Sequence, residues 1–179
     1  DWSSDVCSSD LAVKEAPEQI SALMGMADNP QKQLQFPYEL NLQKAKHVLL
    51  VGQGASGKST ALQTMLYSLT TRYTPEQLQY YLIDFSSGLI NSFASMPHCG
   101  GLYGQNDEIE IKKLLAMIKD MVAERKALFT QHDVSNYDSY IQIAPLPMIV
   151  VVIDNIAGFN AFKDGSSFML NFYEYLRRS

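Results

Sequence analysis

The chain has 179 residues, 46% of them apolar and 18% charged, with a formal net charge of −5. That is one domain's length with enough apolar residues for a core, and a charged fraction below the usual ~25% excludes a disordered segment. The mild acidity speaks against DNA as a partner, the longest apolar run (Met148–Ile153) falls far short of the ~20 residues of a membrane helix, and Cys7 and Cys99 lack disulfide-framework or zinc spacing.

Residues 1–11, Asp1-Trp2-Ser3-Ser4-Asp5-Val6-Cys7-Ser8-Ser9-Asp10-Leu11, have neither helical nor strand periodicity. All eleven match the in-frame translation of a sequencing adapter, so this stretch is expected to be non-native and is set apart from the fold. Three of the 19 acidic residues fall in it, so the remaining 16 against 14 basic ones leave a net charge of only −2. No signal peptide is apparent at this end, and a reducing compartment is the expectation.

Residues 12–46 read as a lead-in. Pro17–Met26 suits a short helix, ended by the turn residues Asp28-Asn29-Pro30, and Leu34–Leu42 alternates around Pro37 as an edge strand does. From residue 47 the pattern changes. His47–Val51 is a short apolar run of strand type leading into a glycine-rich loop, and Thr60–Arg72 is a helix. Gln79–Asp84 is a buried strand ending in an acid, followed by the turn Ser86-Ser87-Gly88. Between Asp107 and Gln131, apolar residues at Ile111, Leu114, Leu115, Ile118, Met121, Val122, Leu128 and Phe129 recur at helical spacing. Pro145 and Pro147 isolate a last strand, Met148–Ile153, that leads into Asp154. Phe168–Ser179 reads as a helix with no terminating Gly or Pro, so the chain is expected to stop mid-domain. Strands alternating with helices indicate an α/β fold with a mainly parallel sheet.

The loop Gly52-Gln53-Gly54-Ala55-Ser56-Gly57-Lys58-Ser59 fits the P-loop pattern GxxxxGK[ST] in full, between a strand and a helix. Glycines let backbone N–H groups converge on phosphate oxygens, and the following helix, opening at Thr60, directs its positive end at the same charge. Lys58 is expected to neutralise the β- and γ-phosphates of ATP, and Ser59 to ligate Mg²⁺. The matching acid is Asp154 at the tip of an aliphatic strand, holding Mg²⁺ through water, with Asp84 as the rival and turn-capping as its alternative role. No NKxD guanine-reading motif occurs, which disfavours a GTPase. Where many P-loop ATPases carry a glutamate directly after that aspartate, this chain has Asn155, which cannot accept a proton. ATP binding and hydrolysis are therefore separate expectations, and Asn155→Glu is the variant that should tell a turnover-competent site from a regulatory one.

These residues, with Met24–Pro30, Gln33 and Gln35, Tyr80–Phe85, Met96-Pro97-His98 ahead of Gly100, Glu124–Phe129 and Ile153-Asp154-Asn155, resemble the FtsK/SpoIIIE ATPases, in particular the later ATPase modules of type VII (ESX-like) secretion ATPases. The resemblance implies a RecA-like domain, residues 47–179 here and incomplete at the C-terminus, one of several in tandem at the cytoplasmic face of a bacterial membrane. It implies ATP and Mg²⁺ as ligands, and neighbouring ATPase modules and small secreted helical proteins as partners. Any membrane contact is implied only through parts outside this chain. The alternatives are a non-hydrolysing regulatory or substrate-receptor module and, third, an FtsK-type DNA translocase. In the RecA-like sheet a sensor strand lies between the P-loop strand and the strand ending in Asp154. Here that strand is expected to be missing, leaving Val48–Val51 and Ile149–Ile153 unpaired or wrongly paired, with marginal stability. His98 and Cys99 are expected to pack in a glycine-rich loop, Glu124-Arg125-Lys126 to be a solvated face, and Tyr173 and Tyr175 to be core or interface residues. Arg177 and Arg178 carry no assignable role.

Overall fold

The computed structural model describes residues 19–86 and 88–164. The adapter-like segment, Ser87 of the expected turn and the terminal helix with Tyr173, Tyr175, Arg177 and Arg178 lie outside the described residues. The chain then opens on an antiparallel hairpin of β1 (Ser21–Asn29) and β2 (Leu34–Asn41). The helix expected over Pro17–Met26 is thus corrected to a strand over its described part. Ala22, Leu23, Met24 and Met26 are good helix formers, but propensity is overridden by the β2 ladder and by burial of Ile20 and Ala22. The ladder slips between Leu23 and Gly25, and Gly25 sits at φ +152°, a conformation side chains other than glycine's rarely adopt. The turn falls where Asn29 and Pro30 place it, with the Asn29 carbonyl accepting the Lys32 N–H at 3.1 Å. β2 matches the expected edge strand, and Asn41 at its end caps the single turn α1 (Leu42–Ala45) by accepting the Lys44 N–H at 2.8 Å.

Residues 47–51 have the composition of a strand but join neither sheet, the unpaired state expected of Val48–Val51, whereas Ile149–Ile153 is paired along one side, in register with residues 79–83. Leu49 and Val51 are 72% and 84% exposed, because no described strand offers this ribbon a ladder or a covering face.

The main sheet follows. α2 (Lys58–Arg72) starts two residues earlier than expected; then come β3 (Leu78–Asp84), a 3-10 turn at Asn91–Ser95 and β4 (Cys99–Tyr103). After them run α3 (Glu108–Gln131), the short α4 (Tyr137–Tyr140), β5 (Met148–Asp154) and α5 (Ile156–Asp164). The strands order as β4-β3-β5, all parallel, with β3 and β5 in continuous register from Leu78↔Met148 to Asp84↔Asp154. Helices cover both faces, as a parallel sheet requires. Leu78, Tyr80, Leu82 and Val152 pack with Met65, Leu66 and Leu69 of α2, while Tyr81 and Ile83 pack with Ile111, Leu114, Leu115 and Ile118 of α3 and Phe159 of α5. Even-numbered residues of β3 and β5 thus face α2, and odd-numbered ones face α3.

The hairpin is fastened to the far half of α2. Ser68 Oγ accepts the Leu23 N–H at 2.7 Å, Tyr73 OH accepts the Ser21 N–H at 2.9 Å and donates to the Ser21 carbonyl at 3.1 Å, and Arg72 pairs with Glu39 at 2.9 Å. β4 is a further correction, since Cys99 begins a strand rather than sitting in a loop. Its glycines are steric: a Cβ on Gly100 would stand 2.3 Å from the Tyr81 ring. His98 is buried, its Nε2 donating to the Tyr73 carbonyl at 2.8 Å. No described helix is long and apolar enough to cross a membrane.

Candidate nucleotide site

The loop of residues 52–57 precedes α2 and is exposed. Ala55 and Gly57 take positive φ, +58° and +84°, and Gly57 opens α2 with no side-chain cap. The N–H groups of the first helical turn therefore point out of the helix with no side chain satisfying them, the arrangement that suits an anion. Lys58 folds back over the loop, its Nζ donating to the Gly52 and Gln53 carbonyls at 2.9 and 2.6 Å. A cation so placed is held at the loop by main-chain carbonyls, and phosphate oxygens are stronger acceptors than the two carbonyls it holds.

Ser59, in the first turn of α2, donates its Oγ to Asp154 Oδ2 at 2.9 Å, joining the P-loop helix to the tip of β5. Asp154 is 6% exposed. A hydroxyl and a sheltered carboxylate beside a phosphate-shaped loop are the oxygen donors a hard divalent cation takes, so the residues present fit Mg²⁺. Of the two rival acids, Asp154 contacts Ser59, whereas Asp84 Oδ1 accepts the Ser86 N–H at 2.7 Å, a turn cap. The other oxygen of Asp84 is withdrawn from solvent and has no partner among the described residues.

Asn155 is used at both ends. Nδ2 donates to the Phe85 carbonyl at 2.9 Å, Oδ1 accepts the Gly158 N–H at 3.2 Å in the first turn of α5, and the backbone is left-handed at φ +68°. Sequence reasoning saw only that asparagine is no base; its role as a clamp between β3 and α5 depends on a contact across 70 residues and left no local signal. Arg125, in the expected solvated face, instead donates to the Pro147 carbonyl at 2.8 Å, and burial pulls its guanidinium below its ordinary pKa.

The FtsK/SpoIIIE family model matches residues 12–146. Over 163 residues the chain is 28% identical to the type VII secretion system protein EssC of Staphylococcus aureus (strain MRSA252), an alignment covering 90% of this chain and 11% of that protein. The solved ATPases 2 and 3 of EssC from Geobacillus thermodenitrificans superpose with a TM-score of 0.77 at 28% identity, over 90% of this chain and 31% of that one. ATPases 2 and 3 of EccC from Thermomonospora curvata, in complex with a signal sequence peptide, give 0.74 at 28% identity, over 84% and 29%. The chain spans about a tenth of the length of the curated relatives it matches.

Proposed function

The chain belongs to the FtsK/SpoIIIE family, and from that premise we propose that residues 47–179 form the Mg·ATP-binding module of a longer, membrane-anchored type VII secretion ATPase. The observation that supports the reading most is the 2.9 Å bond from Ser59 Oγ to Asp154 Oδ2, a contact between the helix after the glycine-rich loop and a strand tip 95 residues away.

In this reading the backbone N–H groups of Gly52, Gln53, Gly54, Ala55, Ser56, Gly57, Lys58, Ser59 and Thr60 surround the phosphates. Lys58 exchanges two carbonyls for phosphate oxygens. Ser59 would ligate Mg²⁺ through its hydroxyl oxygen, and Asp154 would hold the cation through water. Mg²⁺, when bound, offsets charge on the phosphate oxygens. Neighbouring ATPase modules are the proposed partners, and the solved relatives that carry two ATPases support this. Small secreted helical proteins are the proposed cargo, in line with the signal sequence peptide held by the Thermomonospora protein. The proposed location is the cytoplasmic face of a bacterial membrane.

Lys58→Ala should abolish ATP binding in a calorimetric titration, and undiminished affinity would sink the assignment. Asn155 favours a second reading, a regulatory module in which ATP locks domain contacts without turnover. A DNA translocase ranks third, and would require DNA-stimulated, salt-sensitive ATPase activity.

A further inference from the structure

We infer that Asp84 is the general base of this site, the acid that receives the proton of the attacking water in place of the residue after Asp154. The inference rests on the Mg·ATP reading above and concerns how that site turns over.

Three independent observations lead to it. The first is direction: β3 and β5 run parallel and in register, with Asp84 and Asp154 as Cα partners at the same end. Both belong to the even-numbered set that faces α2, so the two carboxylates leave the sheet side by side on the face where Ser59 meets Asp154. The second is an unmet demand. Asp84 Oδ1 is used by the Ser86 N–H, but Oδ2 is withdrawn from solvent with no donor among the described residues. A sheltered carboxylate oxygen without a donor is costly, and a water bound between Asp84 and a γ-phosphate would supply the missing hydrogen bond. The third removes the competitor: Asn155 is committed through both side-chain atoms to Phe85 and Gly158 and has no basic atom to offer.

The step balances within the site. The water oxygen forms a bond to the γ-phosphorus as the bond from that phosphorus to the β,γ-bridging oxygen breaks. The electron pair leaves with ADP, the water's proton passes to Asp84, and inorganic phosphate is the second product. Asp84 carries the base from the neighbouring strand tip, leaving Asn155 free to lock β3 to α5.

The test is Asp84→Asn in the full 179-residue chain, an isosteric change that keeps Oδ1 for the Ser86 N–H. Two quantities are read: ATP and ADP affinities by calorimetry, and single-turnover hydrolysis with protein in excess. A base beside the γ-phosphate also repels it, so the variant should tighten ATP relative to ADP by about 3- to 10-fold, while hydrolysis falls about 100-fold or more. Asp84→Glu, which returns a carboxylate, should recover part of the rate. A purely turn-capping Asp84 would move neither the ATP-to-ADP ratio nor the rate, and either one unchanged overturns the inference. So does a wild-type chain that binds ATP without hydrolysing it above background, an outcome that leaves the binding reading standing. The binding reading fails only if Lys58→Ala binds ATP as the wild type does.

Discussion

Installing the missing glutamate is the obvious way to awaken this site, and the structure predicts that Asn155→Glu will weaken the fold without gaining hydrolysis. Three contributions are lost together. The Phe85 carbonyl keeps its bond from Gln105 Nε2 at 3.2 Å but loses the shorter one from Asn155, at a cost of about 1 kcal/mol. The Gly158 N–H loses its cap in the first turn of α5, about another 1 kcal/mol. The left-handed backbone at φ +68°, which asparagine tolerates and glutamate does not, adds roughly 1–2 kcal/mol. The combined penalty of about 3–4 kcal/mol corresponds to a melting point lower by about 6–16 °C for a chain of this size. Thermal unfolding followed by circular dichroism, alongside single-turnover hydrolysis, measures both halves. An Asn155→Glu chain that melts with the wild type and gains 100-fold in rate would refute the clamp and return the base to the position after Asp154.

Other expectations follow from single contacts. Ser59→Ala should retain nucleotide but lose the Mg²⁺ dependence of its affinity, seen by titrating with and without the cation, because the hydroxyl beside Asp154 is gone. Tyr73→Phe removes both bonds to the Ser21 backbone and should cost about 2–3 kcal/mol in urea unfolding, since the Ser21 groups are buried. Burial pushes the Tyr80 and Tyr137 phenols up to about 12 from 10.0. The native state holds those protons where the unfolded chain has released them, so their contribution is intact below pH 10 and declines as pH rises towards 12. Tyr80→Phe and Tyr137→Phe should each flatten that alkaline loss, and each should remove one late-titrating phenol from the absorbance titration.

What the sequence made legible is what local chemistry dictates. β3 is buried on both faces and carries a continuous apolar run, β5 carries another although Val151 is exposed, and the stripe of α3 follows from one face packing on the sheet. The P-loop is a local motif, and the structure sets its Ser59 against Asp154. The misses came from tertiary context. β1 is made of helix-forming residues held extended by β2 and by α2, and β4 hides behind two glycines, Gly100 required by the Tyr81 ring of the neighbouring strand and Gly101 by the Tyr103 ring of β4 itself. Residues 48–51 are not among the misses: their apolar composition is that of a strand, and the expected want of a neighbouring strand leaves them outside both sheets. Within the site, the direction of Asp84 needed the register of two strands, which composition does not encode.

The fastening of the hairpin to α2 has a mechanical consequence. α2 has 15 residues, so it is a rod about 22 Å long, with the phosphate loop at one end and the bonds from Ser68, Arg72 and Tyr73 to the hairpin at the other. A tilt of about 5° pivoting at the loop would carry the far end about 2 Å. The hairpin would travel with it, and with the hairpin its outward side chains Leu34, Phe36 and Tyr38, which are 52%, 42% and 54% exposed. Any such tilt would move an apolar strip some 20 Å from the loop, because the helix and the hairpin are fastened as one body.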